Sequence, residues 1–295
     1  MDDLELVTDS QRRLYHQLQS AEMLTHVESH LGLLAALLDG SPADRFRRRI
    51  ASAAAEAAGF AAWLRYDLGD DFHMLQRYRF ASDAVTEAGD AGLRSYIRAY
   101  QGMVAAEREG PGAAAGYLAS ARQGAPRSLS RITRAWLVAL HATALGHLGE
   151  ARSAMRCLGQ AQDDLDHAST DDRDPWMYDF DNAALAIRRG QCCLALGRPH
   201  RAVIAFEEAL GGLPEPCARR GAEVRISLAH ARLRCGDADE AARLGSVALT
   251  LLAARGSMAG LSRVRQLRNV LWAAGHLAAT RTLDEQARAL RGAGT

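Results

Sequence analysis

His26 and His30 stand four residues apart, the spacing that puts two imidazoles on one helix face and could hold a metal ion. No third ligand accompanies them in the sequence, so a packing or surface role is expected and no metal site. Two carboxylate–imidazole pairs, Glu107 with His147 and Glu223 with His230, could act as general acid and base. A ligand contact or a salt bridge is the simpler reading of each. The five cysteines, Cys157, Cys192, Cys193, Cys217 and Cys235, form no C-x-x-C pair and are odd in number. That suggests neither a disulfide framework nor a zinc site, and they read as small core fillers. All 36 basic residues are Arg, which excludes Schiff-base chemistry, a pyridoxal-phosphate anchor and a phosphate-loop Lys. No G-x-S-x-G elbow is present. The acidic stretch from Asp163 to Asp181 lacks the alternating acids, Gly and distal Glu of a calcium loop. It reads as a solvated, mobile loop whose Trp176 and Tyr178 could fold over a groove as a lid. No cofactor is expected, and the chemistry favours binding over catalysis.

Helices must position these groups. Of 295 residues, 58 are Ala and only 7 are Pro, with 6% aromatics, a bias toward helix formers with few breakers. An all-α fold follows. Thirty-six basic residues against 35 acidic ones leave a net charge of +1, so no electrostatic footprint for direct nucleic-acid binding exists. The start, Met1-Asp2-Asp3-Leu4-Glu5, is acidic and lacks a signal-peptide pattern. The longest apolar run, Leu31 to Leu38, ends at Asp39-Gly40, well short of the ~18 residues that span a bilayer. A cytoplasmic protein without membrane contact is expected.

A recurrence organises the chain. A turn followed by a helix with small or apolar residues at spacing four then three reads Gly69…Met74-Tyr78-Ala81, Gly110…Ala114-Leu118-Ala121 and Gly149…Ala154-Leu158-Ala161. It continues as Gly197…Ala202-Phe206-Ala209, Gly236…Ala241-Gly245-Ala248 and, degenerately, Gly275…Thr280-Asp284-Ala287. The first anchors recur at spacings of 40, 40, 48, 39 and 39, the signature of stacked repeats. A helix precedes each turn, with a small residue near its midpoint: Ala62, Gly102, Ala142, Gly190 and Ala229. Small residues on both helices let the backbones approach closely, and the turn Gly supplies a left-handed helix stop. Pro214 closes the second helix of the fourth unit.

These positions resemble the tetratricopeptide repeat family over about residues 44–290. The best match is Gly190…Gly197…Ala202…Phe206…Ala209…Pro214. A closer resemblance is to the repeat domain of actinobacterial transcriptional regulators, carried by Trp63-Leu64-Arg65-Tyr66-Asp67-Leu68-Gly69-Asp70, Arg134-Ala135-Trp136-Leu137, Pro175-Trp176 and the tract from Phe180 to Leu210. Those regulators carry a helix-turn-helix domain ahead of the repeats. Met1 to about Gly40 is too short for one, so DNA binding is not carried over. The resemblance implies a right-handed solenoid of antiparallel helical hairpins with N- and C-terminal helical caps. The cap spans 1–43, its apolar stretch Leu24 to Leu38 covering the first repeat. The repeat domain spans 44–290, with units at about 44–88, 92–125, 130–168, 180–214, 217–254 and 257–290.

In such a stack the first helices line the concave face. Offsets −6, −3, +1, +4 and +5 from each small anchor make one helical stripe. That stripe collects Trp63, Tyr66, Tyr96, Met103, Glu107, Trp136, His147, Gln191, His230 and Arg234 as candidate ligand-binding residues. Glu56 and Asp67 lie on it as well, and the terminal unit adds Arg265, Asn269 and Trp272. Aromatic rings concentrated there favour a walled cavity for a small molecule or a peptide, although long first helices could instead bury them as core. The leading expectation is a non-catalytic regulatory or sensor protein. The alternatives are an interaction scaffold holding a protein partner and an acid–base enzyme built on the inner Glu and His residues. The Ala-rich faces would also suit a homodimer.

Overall fold

The computed structural model describes residues 2–15, 17–40, 43–169, 172–177, 180–213 and 218–292; Pro214, Cys217 and Tyr178, singled out above, lie outside them. Among the described residues there are fourteen α-helices and no strand. Two helices open the chain, α1 (Asp2–Leu14) and α2 (Ser20–Asp39). Six antiparallel hairpins follow. They are α3 (Asp44–Asp67) with α4 (Asp71–Ala88), α5 (Ala91–Arg108) with α6 (Pro111–Gly124), and α7 (Arg131–His147) with α8 (Ala151–Asp166). The remaining three are α9 (Asn182–Ala195) with α10 (Pro199–Gly212), α11 (Ala218–Arg234) with α12 (Ala238–Ala253), and α13 (Met258–Ala273) with α14 (Leu277–Gly292).

The hairpin turns repeat one device. At Gly69 (φ 78°) the chain turns left-handed. The Gly69 amide then donates to the Tyr66 carbonyl at 3.0 Å, and the Asp70 amide to Arg65 at 2.9 Å. Gly197 repeats the pattern with Leu194 and Cys193. This double closure satisfies carbonyls that a helix end leaves open. Asp70, Asp90, Ser130, Asp181, Asp237 and Ser257 each cap the next helix by accepting an amide near its start. The small anchors lie where the paired helices come closest. A Cβ on Gly190 would stand 2.5 Å from the Phe206 ring. Gly190→Leu therefore overfills this crossing and lowers stability by about 1–3 kcal/mol or more, measurable as a lower midpoint in urea. An unchanged midpoint would mean that α9 and α10 do not meet there.

The six first helices form a closed ring. Each contacts the next, from α3 through α5, α7, α9 and α11 to α13, and α13 returns to α3. A polar cluster fastens the closure. The Asp67 carboxylate at the end of α3 accepts from Arg219 Nη1 of α11 and from Ser20 Oγ of α2, each at 2.5 Å, and from Ser257 Oγ. Arg219 Nη2 donates to Ser20 Oγ at 3.0 Å. All four residues are buried. Beside them the Ser20 amide donates to the Arg255 carbonyl at 3.2 Å, and the Arg255 guanidinium reaches the Gln17 carbonyl.

Helix α2 packs along α3, burying Leu31, Leu34 and Leu38 in the main core. Helix α1 does something the sequence did not suggest. Its buried Arg12 places Nη2 2.7 Å from Glu56 of α3 and donates to the Pro175 carbonyl at 3.1 Å and to that of Trp176. Just past its end, Tyr15 accepts from Trp63 Nε1 at 2.8 Å, and the Arg219 guanidinium lies over its ring. The first helix thus crosses from α3 toward the segment before α9 and toward α11.

The acidic connection is not the solvated, mobile loop expected from its composition. Its described part is docked against the fold instead of solvated. Asp174 accepts from the Ser130 amide at 3.1 Å and from Thr133 Oγ1 at 2.6 Å, and Asp172 accepts from the Arg131 amide at 3.2 Å. Two carboxylates therefore sit on the positive end of α7, while Trp176, Met177 and Phe180 are buried.

Candidate functional site

The ring surrounds a cavity of about 770 Å³ that is partly open to solvent. Trp63, Tyr66, Tyr96, Met103, Glu107, Trp136, His147, Gln191, His230 and Arg234 all line it. The terminal unit does not follow the same stripe: Trp272 is 56% exposed, with Arg268 stacked on its ring. Helix α13 instead turns Gly260, Val264, Leu267 and Leu271 inward to the core and sends Arg263 to the cavity. The reason is local. Where the other first helices carry Ala or Gly, α13 has Arg268, so nothing in the sequence fixed its rotation.

Helices α3, α5 and α7 supply an aromatic wall. Ring centroids run from Tyr66 to Trp63 (5.1 Å), on to Tyr100 (5.3 Å), and from Tyr100 to Tyr96 (4.9 Å) and Trp136 (5.5 Å). These are edge or tilted contacts, each worth about 0.5–1.5 kcal/mol beyond the area buried. Tyr66, Tyr96 and Trp136 are buried and Trp63 half-buried, so the rings serve as core and as cavity lining together. Trp176 stacks on Tyr96 at 4.9 Å and is not among the lining residues. It backs the wall and is no lid.

Reading the sequence missed Tyr100 and Arg188. Both stand two residues before the small anchor of their helix, and so do Phe60, Leu140 and Ser227. All five line the cavity, so the inner stripe is one position wider than the five offsets taken. Arg12 and Tyr15 also line it, and they carry no repeat signal at all.

The polar groups fall mainly on α9 and α11. The two carboxylate–imidazole pairs are not formed: among the described residues neither Glu107 and His147 nor Glu223 and His230 share a hydrogen bond. Glu107 instead accepts from Arg263 Nε at 2.9 Å. Arg263 also donates to the Tyr66 hydroxyl at 3.1 Å and lies 3.8 Å from Glu223. A long guanidinium on α13 spans a distance that the shorter imidazoles do not. Burial, with Arg234 beside it, holds the His230 imidazole below its usual range, so it is neutral at pH 7. Burial also pushes the phenols of Tyr78, Tyr96 and Tyr100 up and keeps them as neutral hydrogen-bonding groups. The metal-pair spacing at His26 and His30 is used otherwise: His30 Nε2 bonds Thr8 Oγ1 at 3.1 Å in the α1–α2 contact, and His26 is exposed.

Glu56 is the unusual acid. Burial pushes its carboxyl up to about 7 against the opposing pull of Arg12. Below about pH 4.5, folded and unfolded chains both hold this proton. Between pH 4.5 and 7 the unfolded chain releases it and the native chain keeps it, so native stability falls by up to about 1.4 kcal/mol per pH unit. Against this background, Glu56→Gln gains on the wild type as pH rises through that window and the difference is flat above it. Denaturation profiles that run parallel from pH 4.5 to 7 would exclude this proton uptake.

No protein-family model and no curated protein sequence matches the chain. Among solved structures it is similar to BtubC (BKLC) from P. vanneervenii, a helical-repeat protein, with 16% identity and a TM-score of 0.52. The similarity covers 85% of this chain and 92% of that one, and it supports the helical-repeat fold. Among the described residues no helix is long and apolar enough to cross a membrane.

Proposed function

We propose that this chain is a non-catalytic regulatory or sensor protein that takes a small molecule into the cavity of its helical ring. The carrying observation is closure: α13 returns to α3 around about 770 Å³, within the few-hundred-to-thousand Å³ range of small-molecule pockets. An extended protein segment would need a groove open along its length, so the interaction-scaffold reading and the peptide ligand are disfavoured. Acid–base catalysis is disfavoured because Glu107 and Glu223 face Arg263, and among the described residues neither pairs with His147 or His230 to relay protons. The resemblance to the tetratricopeptide-like domain of actinobacterial regulators supports the regulatory part and a cytoplasmic setting. Occupancy would act by stabilising the closed ring over more open forms, because a ligand shifts an equilibrium by its differential affinity for the two states.

Native mass spectrometry of protein purified from its own host tests this. The expected spectrum shows an added mass on the order of a few hundred daltons, the class a pocket of this size encloses, and the increment disappears on denaturation. A bare mass, with a protein or long peptide co-purifying in its place, would overturn the reading.

A further inference from the structure

Charge around the cavity is unbalanced. Six arginines and three glutamates line it. Arg12 is matched by Glu56, Arg263 by Glu107 and Glu223, and Arg219 by Asp67 behind the wall. The other three lining arginines are Arg220, Arg234 and, deeper in the fold than Arg234, Arg188. Its Nη1 donates to the neutral Gln191 amide oxygen at 3.0 Å, and among the described residues no carboxylate lies within 4.0 Å of it. Arg234, on the same side of the ring, is exposed and likewise has no acid at that distance among the described residues. A guanidinium held inside a fold is costly without a counter-charge, and its planar fork suits a two-oxygen anion. The aromatic wall on α3, α5 and α7 runs on around the ring into α9 and α11, which carry these arginines. We infer that the cavity takes an amphipathic organic anion, its flat aromatic body against Trp63, Tyr100 and Trp136 and its carboxylate, phosphate or sulfonate on Arg188. This rests on the small-molecule reading above and narrows it to a ligand class.

The test uses two fluorescent probes with one skeleton: 1-anilinonaphthalene-8-sulfonate, and N-phenyl-1-naphthylamine, which lacks the sulfonate. Titrated into the full chain, the sulfonate should bind at one site about tenfold tighter than the neutral probe, the scale of one charge-assisted pair. Arg188→Gln should abolish that preference and leave the neutral probe's Kd unchanged. Arg188→Lys, which keeps the charge without the fork, should restore part of it. Equal affinities of the two probes in the wild type overturn the inference, whether or not the Gln variant folds. So does an equal loss of both probes in Arg188→Gln. If the neutral probe binds at one Trp136-dependent site without any anion preference, the cavity reading stands and only the ligand class fails. If neither probe binds in a Trp136-dependent way, the cavity reading itself fails.

Discussion

Arg219→Leu lowers the unfolding free energy by about 3–5 kcal/mol at neutral pH, the cost of stranding one member of a buried ion pair. Among the described residues, the substitution leaves the Asp67 carboxylate inside the fold with only the Ser20 and Ser257 hydroxyls to satisfy it. Two hydroxyl donors do not replace a guanidinium. The double variant Asp67→Asn, Arg219→Leu should recover part of the loss, because removing both charges spares the fold an uncompensated one. Urea titrations of the single and double variants give the comparison. A loss below about 1 kcal/mol in the single variant, the value of an exposed pair, would show that water reaches this cluster and that it does not hold the ring shut.

Trp136→Ala weakens binding of the naphthalene sulfonate probe by about thirtyfold or more, as loss of a central aromatic anchor commonly costs 2 kcal/mol. Trp136 is 5% exposed, with Tyr96 and Tyr100 centroids 5.0 and 5.5 Å away. Truncation therefore also opens a void, and stability should fall by about 3–5 kcal/mol. Trp136→Phe separates the two effects. It keeps an aromatic face with less void, and should retain helix content by circular dichroism while losing a smaller part of the affinity. Unchanged affinity in a folded Trp136→Ala chain would place the probe outside the aromatic wall.

The hairpins and the inner stripe were legible in the sequence because both depend on local sterics. Only a small residue fits where Gly190 meets Phe206, and glycine serves best where the chain turns left-handed at Gly69, so these types recur wherever the geometry recurs. Counting from Gly102 and Ala142 then brings Tyr96 and Trp136 to one face. What was not legible depends on curvature accumulated over the stack. Asp67 and Arg219 meet across 152 positions, and no spacing rule relates them. Arg12 and Tyr15 belong to a segment outside the repeat, so periodicity was silent about their reach into the cavity. The acidic connection misled for a different reason: composition reports solvation well but not docking, and Asp172 and Asp174 found amide donors at the start of α7. Trp272 was misplaced because Arg268 breaks the small-residue rule that fixes helix rotation elsewhere.

Closure of the ring changes how such a chain comes apart. An open array of repeats behaves as a row of nearest-neighbour couplings, and its outermost members fray first because each has a single neighbour. Here the outermost members are neighbours: Ser257 at the start of the last hairpin bonds Asp67 at the end of α3, and Ser20 bonds the Arg255 carbonyl. A zipper whose two ends are sewn together has no place to start opening. Denaturation of this molecule should therefore resemble the all-or-none melting of a globular domain, and hydrogen exchange in α3 and α13 should report the same opening energy as in α7 and α9, the helices farthest around the ring from the seam.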